Sequence, residues 1–191
     1  MDIYQLKVTL IQSDPPIWRR LQVRGDSTLG QLHRVLQVAM GWRDRHLHQF
    51  TIGGREYGRP DRDDWFELGE MIDENRVKLA DLVKDTGAQF IYEYDFADSW
   101  EHVVLVEAML PLAPGQRYPR CLAGERACPP EECGGIRGYH KMLEEVRNPD
   151  DPEHEYTLAW LGSDFDPEAF DLERVNQELV PPREFESLSP P

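Results

Sequence analysis

T-L-G-Q-L-H-R-V-L-Q-V-A-M-G, from Thr28 to Gly41, is the stretch on which the fold reading turns. Thr28 followed by Gln31 has the form of a capping box, in which a hydroxyl and an amide satisfy backbone N–H groups orphaned at a helix start. Leu29, Leu32, Leu36 and Met40 recur at helical spacing as one apolar stripe, and Gly41 closes the helix. His33 falls on that stripe, where a lone histidine reads as a packed, hydrogen-bonded residue. Such a stripe has to be buried against another layer.

The flanks supply that layer. Upstream, Tyr4, Leu6, Val8 and Leu10 alternate with Gln5, Lys7 and Thr9, the period of a half-buried strand. Ser13-Asp14-Pro15-Pro16 breaks the run, and Ile17, Arg19, Leu21 and Val23 then alternate with Trp18, Arg20 and Gln22, which predicts an antiparallel hairpin. Downstream, His46, His48, Phe50 and Ile52 alternate with Leu47, Gln49 and Thr51, and Gly53-Gly54 offers the positive dihedrals of a tight turn into Arg55, Glu56 and Tyr57. Two histidines on one strand face name no metal site by themselves. Residues 58–75 read as a surface excursion, mobile at 59–64. Phe90, Tyr92, Tyr94 and Phe96 then alternate with polar neighbours, and a second core strand runs from Glu101 to Leu110 beyond a polar corner at Ala97-Asp98-Ser99.

Three helices are predicted after the cysteines. Ile136, Tyr139, Leu143 and Val146 mark the first, which stops before Asn148-Pro149. Asp151-Pro152-Glu153 opens a second that buries Tyr156 and Trp160 and ends near Gly162, and Asp166-Pro167-Glu168 opens a third with Phe170, Leu172, Val175 and Leu179 on its inner face. The fold class that results is α+β: a mainly antiparallel sheet from the N-terminal two-thirds, covered by the Thr28 to Met40 helix and flanked by a C-terminal helical segment. The order hairpin, helix, strand is that of a β-grasp-like start. Residues 1–180 read as a single domain and the Pro- and Ser-rich 181–191 as a disordered tail. Trp100 and Trp160 are both expected to be buried.

Composition bounds the function. The 191 residues carry a net charge of −15, which disfavours nucleic acid as a partner, although residues 1–60 hold a +4 balance and the remainder −19. Arg19, Arg20, Arg24, Arg34, Arg43 and Arg45 would make an anion-facing surface only if they gathered on one side; the simpler reading is a basic half packed beside an acidic one. No run approaches the ~18 apolar residues of a membrane span. The N-terminus lacks the basic start and apolar core of a secretory signal, so the expected location is the cytoplasm, with the three cysteines reduced.

Two stretches concentrate polar chemistry. The corner Y-D-F-A-D-S-W-E-H, from Tyr94 to His102, offers Asp95, Asp98, Trp100 and His102 as binding candidates, although Asp and Ser are also what a turn uses for its own backbone hydrogen bonds. C-L-A-G-E-R-A-C-P-P-E-E-C-G-G-I-R-G-Y, from Cys121 to Tyr139, reads as one stiffened loop and adds Glu131. Its gaps of six and four residues between cysteines are not the two-residue knuckle of common zinc sites. Cys121, Cys128 and Cys133 with His102, or with His140 instead, would still make a tetrahedral zinc set if the loop folded back; the alternative is three packed, reduced thiols.

L-H-R-V-L-Q-V-A-M-G-W-R-D-R-H-L-H-Q-F from Leu32, Y-D-F-A-D-S-W-E-H from Tyr94, C-P-P-E-E-C-G-G-I-R-G-Y from Cys128 and W-L-G-S-D-F-D-P-E-A-F from Trp160 together resemble the plasmid pRiA4b ORF-3-like family. The resemblance spans most of the chain and implies a compact α+β fold, with no activity attached and with some relatives carried on mobile elements. Ala97 stands where relatives usually have Gly, and Cys133 where many have an apolar residue.

Phosphate loops, dinucleotide fingerprints, zinc-protease helices and nucleophile elbows are missing from the sequence. Three readings are left. A binding or interaction module with a protein partner comes first, a metal-dependent enzyme using the cysteine loop and the Asp/His corner second, and a plasmid or mobile-element nucleic-acid accessory protein third.

Overall fold

The computed structural model describes residues 2–60, 71–162 and 165–179. The expected 181–191 tail and part of the 58–75 excursion therefore lie outside the described residues. Thr28 caps α1 (Leu29–Met40) as read: its hydroxyl accepts from the Gln31 N–H at 3.2 Å and the Gln31 amide oxygen accepts from the Thr28 N–H at 2.9 Å. Gly41 ends the helix in the left-handed region at φ 89°, where an L side chain would be strained.

The layer beneath is one eight-stranded sheet. In chain order its strands are β1 (Asp2–Leu10), β2 (Trp18–Arg24), β3 (His48–Ile52), β4 (Arg55–Gly58), β5 (Ile72–Asp73), β6 (Gln89–Tyr94), β7 (Trp100–Pro111) and β8 (Arg120–Glu125). In space they run β5-β4-β3-β6-β7-β1-β2-β8, and every pairing is antiparallel except the short β4–β5 pair. The β1–β2–α1 start has the expected hairpin-then-helix order, and β1 joins the rest of the sheet through β7. The covered face buries Leu6, Val8, Leu21, Phe50, Tyr92, Trp100 and Val104 against Leu29, Leu32 and Leu36 of α1. The other face is half-exposed and mixes Ile91, Val103 and Leu105 with Gln5, Lys7, Thr9 and Glu93, as suits an antiparallel sheet with one wet side. There the Arg20 guanidinium clasps both Glu107 oxygens at 2.6 and 2.8 Å and also lies over the Trp18 ring.

Arg19 is the exception to that division. Alternation puts it on the core face, where it is 2% exposed, and it donates from Nε to the Ala39 carbonyl and from its two terminal nitrogens to the carbonyls of Trp18, Glu125 and Arg126. A planar fork of five N–H groups suits this task, tying the last turn of α1 to β8 while its flat side lies over Phe170 at 4.3 Å. The arginines of the N-terminal half therefore do not form one anion-facing surface: Arg19 is core, Arg20 pairs with Glu107 and Arg24 with Asp26.

Three short helices and one turn of helix complete the described chain: α2 (Leu79–Leu82), α3 (Gly135–Arg147), α4 (His154–Leu161) and α5 (Leu172–Leu179). Several expectations are corrected. Cys121 is not in a loop but on the edge strand β8, opposite Leu21 of β2. Its strand escaped the reading because R-C-L-A-G-E has no alternation of its own and is ordered by pairing with β2. Asp166 accepts the Glu168 N–H in a turn, and the cap of α5 is Asp171, which accepts from Arg174. Tyr156 and Trp160 are not buried: they are 68% and 42% exposed, while Thr157 is the α4 residue turned inward. Trp100, by contrast, is fully buried as expected. No helix among the described residues is long and apolar enough to cross a membrane.

Candidate functional site

The polar corner packs against the cysteine loop. Asp95, at φ 58°, accepts the N–H groups of Ala97 and Asp98 through Oδ1, so its carboxylate shapes the turn, and its Oδ2 lies 3.6 Å from His46 Nε2. The carbonyl of Asp98 comes so close to Gly135 that an alanine Cβ there would sit 2.5 Å from it. Trp42 gathers the rest: its ring lies 5.0 Å from Tyr94, 5.9 Å from Trp100 and 5.3 Å from His102, and its indole N–H donates to the Pro129 carbonyl. Glu131 accepts from the Tyr94 hydroxyl at 2.6 Å. The expected binding candidates thus stand near one another, but Trp100 and His102 are wholly inside.

The thiols do not assemble into a metal set with His102. Among the described residues, the His, Cys, Asp and Glu groups of three or more whose donor atoms converge reduce to a different one, His33, Asp44 and His48. Cys121 Sγ points to the Ala123 carbonyl and Cys133 Sγ to that of Gly135, while His102 Nδ1 faces the Tyr92 carbonyl. Burial pushes all three thiols up, Cys133 to about 12 with the Asp98 carboxylate adding to the effect. A thiol held protonated is a poor nucleophile.

The cluster that does converge joins α1, the α1–β3 loop, β3 and the residue after β5. The rings of His33 and His48 lie face to face, 3.4 Å apart and within 4° of parallel. His33 Nε2 meets Asp44 Oδ1 at 2.9 Å and its Nδ1 meets the Tyr92 hydroxyl at 2.9 Å, while His48 Nε2 meets Glu74 Oε2 at 2.7 Å. Gln37 donates to the same Tyr92 hydroxyl and accepts the Asp44 N–H. Gly30 lets the chain at residues 74–75 close over α1, since a Cβ there would fall 2.4 Å from Asn75 Oδ1. Arg59 reaches the second oxygen of each carboxylate, 3.2 Å to Asp44 Oδ2 and 3.4 Å to Glu74 Oε1.

Electrostatics follow from this wiring. Burial and the facing His48 hold His33 down at about 4, so its ring is neutral at physiological pH. Burial alone would raise Asp44 and Glu74, but hydrogen bonds from His33, His48 and Arg59 outweigh it and keep both carboxyls below their usual range. The result is a neutral His33 imidazole stacked on the His48 ring, each ring backed by an ionised carboxylate, with one guanidinium as countercharge. His33, Tyr92 and Glu74 are buried, whereas Asp44 and Arg59 are open to solvent, which gives the cluster one wet side. The two histidines were in view in the sequence; Asp44 and Glu74 as their partners were not.

These features define a class: an α+β protein with one helix-covered sheet and a buried histidine–carboxylate cluster under the helix. The chain belongs to the plasmid pRiA4b ORF-3-like protein family, whose profile matches residues 2–174. It is 40% identical over 180 residues to the uncharacterized protein y4hQ of Sinorhizobium fredii (strain NBRC 101917 / NGR234), covering 93% of this chain and 90% of that one. It is also similar to the crystal structure of MM3350, a protein of unknown function from Methanosarcina mazei Go1, with a TM-score of 0.84 and 38% identity over 91% of this chain and 96% of that chain.

Proposed function

We propose that the protein is an interaction module that docks a basic segment of a partner protein on α4. The observation that carries this is the inverted burial of that helix. Its inward residue is Thr157, whose hydroxyl donates to Glu145 Oε2 at 2.6 Å, and its Tyr156, Leu158 and Trp160 are exposed. Tyr156 and Trp160 are four residues apart and so share a face, a rigid aromatic ridge of the kind that anchors interfaces. Between Arg147 and Arg174 the chain carries nine Asp/Glu and no Lys or Arg, so the segment that carries the ridge is strongly acidic. A Lys/Arg-rich amphipathic segment complements both properties, while phosphate-bearing partners are repelled.

Calorimetric titration with Lys/Arg-rich amphipathic peptides tests this. Saturable binding that weakens with salt and is lost in the Y156A/W160A double variant is the expected result. Equal binding by parent and variant, or no binding by the parent, would overturn it. A concentration-dependent dimer abolished by the same double variant would assign the ridge to a second copy of the chain and likewise refute a basic partner.

A further inference from the structure

We propose that His33, His48 and Asp44 bind one divalent first-row transition ion, with Glu74 and Tyr92 fixing the two imidazoles. One donor atom from each of the three lies within 4.8 Å of the other two. The 2.9 Å between His33 Nε2 and Asp44 Oδ1 falls just short of the ~3.0 Å (octahedral) to ~3.4 Å (tetrahedral) separating adjacent ligands that each stand about 2.1 Å from one ion. Two imidazole nitrogens and a carboxylate oxygen form a set that suits zinc, nickel or iron better than the oxygen-seeking calcium or magnesium.

The surroundings have the form of an outer shell. A ligating histidine usually gives its other N–H to a carboxylate or another acceptor, which sets the tautomer and aims the lone pair. Glu74 Oε2 accepts a hydrogen bond from the Nε2–H of His48, which leaves Nδ1 as that ring's lone-pair nitrogen. The Tyr92 hydroxyl stands at His33 Nδ1, and a phenol oxygen accepts as well as donates, so the proton of His33 can reside on Nδ1 and free Nε2 toward Asp44. No net proton is gained or lost in that exchange of tautomers. Parallel rings cannot both aim in-plane lone pairs at one point, so loading must tilt the stack open.

Arg59 provides the sharpest test because it already occupies the position of a cation. Its guanidinium bridges the outer oxygens of Asp44 and Glu74, 52% exposed at the wet side of the cluster. A metal entering from that side competes with it electrostatically. Removing Arg59 should therefore tighten metal binding, the opposite of what loss of a merely structural contact would do.

The experiment titrates tag-free, chelator-treated protein with Co²⁺ alone, following the visible d–d bands and displacement by Zn²⁺. One equivalent should bind saturably. Asp44→Asn keeps a residue tolerant of the left-handed φ of 52° found there and should weaken Co²⁺ binding at least about tenfold. Arg59→Ala should strengthen it several-fold. Absence of a saturable equivalent in the parent, equal affinity in parent and D44N, or weaker binding in R59A would each overturn the assignment. Because neither variant touches α4, failure here leaves the docking surface standing, and the converse holds as well.

Discussion

Acidification should weaken this fold through His102, and the size of the effect can be worked from its surroundings. The ring is fully buried, with Nδ1 3.3 Å from the Tyr92 carbonyl, Nε2 without a partner, and Trp42 edge-on at 5.3 Å. Protonation would place an imidazolium there with little to solvate it, so burial drives the group from 6.5 to about 4. In the unfolded chain the ring takes up a proton near 6.5, so between the two values the unfolded state binds a proton that the native state refuses. Stability is then complete above 6.5 and is lost as the pH falls toward 4, at up to about 1.4 kcal/mol per pH unit and about 3 kcal/mol in all. His33, also held at about 4 by burial first and His48 second, acts in the same direction. Urea unfolding followed by circular dichroism at pH 7.5, 6.5, 5.5 and 4.5 measures the loss. His102→Gln, which cannot charge, should lose about 2–3 kcal/mol less than the parent across that range, whatever its stability at pH 7.5. Identical pH dependence in the two proteins would refute the reasoning.

Two further expectations rest on burial. Trp100→Ala should cost about 3–5 kcal/mol, as for other large core truncations, while Trp160→Ala on the exposed ridge should cost less than about 1 kcal/mol; thermal melting separates them, and equal losses would mean that α4 packs inward in solution. Arg19→Lys should cost about 2–4 kcal/mol, because one ammonium cannot serve the four carbonyls that the guanidinium reaches, and a variant melting like the parent would show that the network contributes nothing.

What could be read in the sequence was what short-range physics decides. Thr28 with Gln31, the Leu29 to Met40 stripe and the alternation of Tyr4 to Leu10 each place their signal within a turn or a strand, so α1 and the β1–β2 hairpin were legible, as were the paired strands on either side of the Asp98 corner. Strand β8 was not, because its order comes from β2, a hundred residues earlier, and not from its own pattern. The cluster escaped for the same reason. His33 and His48 are separated by a helix end and a loop, and Glu74 arrives only because β5 pairs in parallel beside β4. A histidine on an apolar stripe is ambiguous until its partners are in place, and here those partners come from three other elements.

The misplacement of Trp160 has a different origin. Burying apolar residues is a strong rule in one direction only, since much of any protein's surface is apolar. The rotation of α4 is set instead by polar contacts: Thr157 to the Glu145 carboxylate and His154 Nδ1 to the Glu145 carbonyl, both on α3. Those two bonds fix which side of the helix faces the body of the protein, and Tyr156 and Trp160 then have no choice but to face out. Hydrophobic pattern alone cannot register a helix that a buried carboxylate has turned over. An aromatic pair held outward in this way, within a segment free of positive charge, is the arrangement from which the docking surface was inferred.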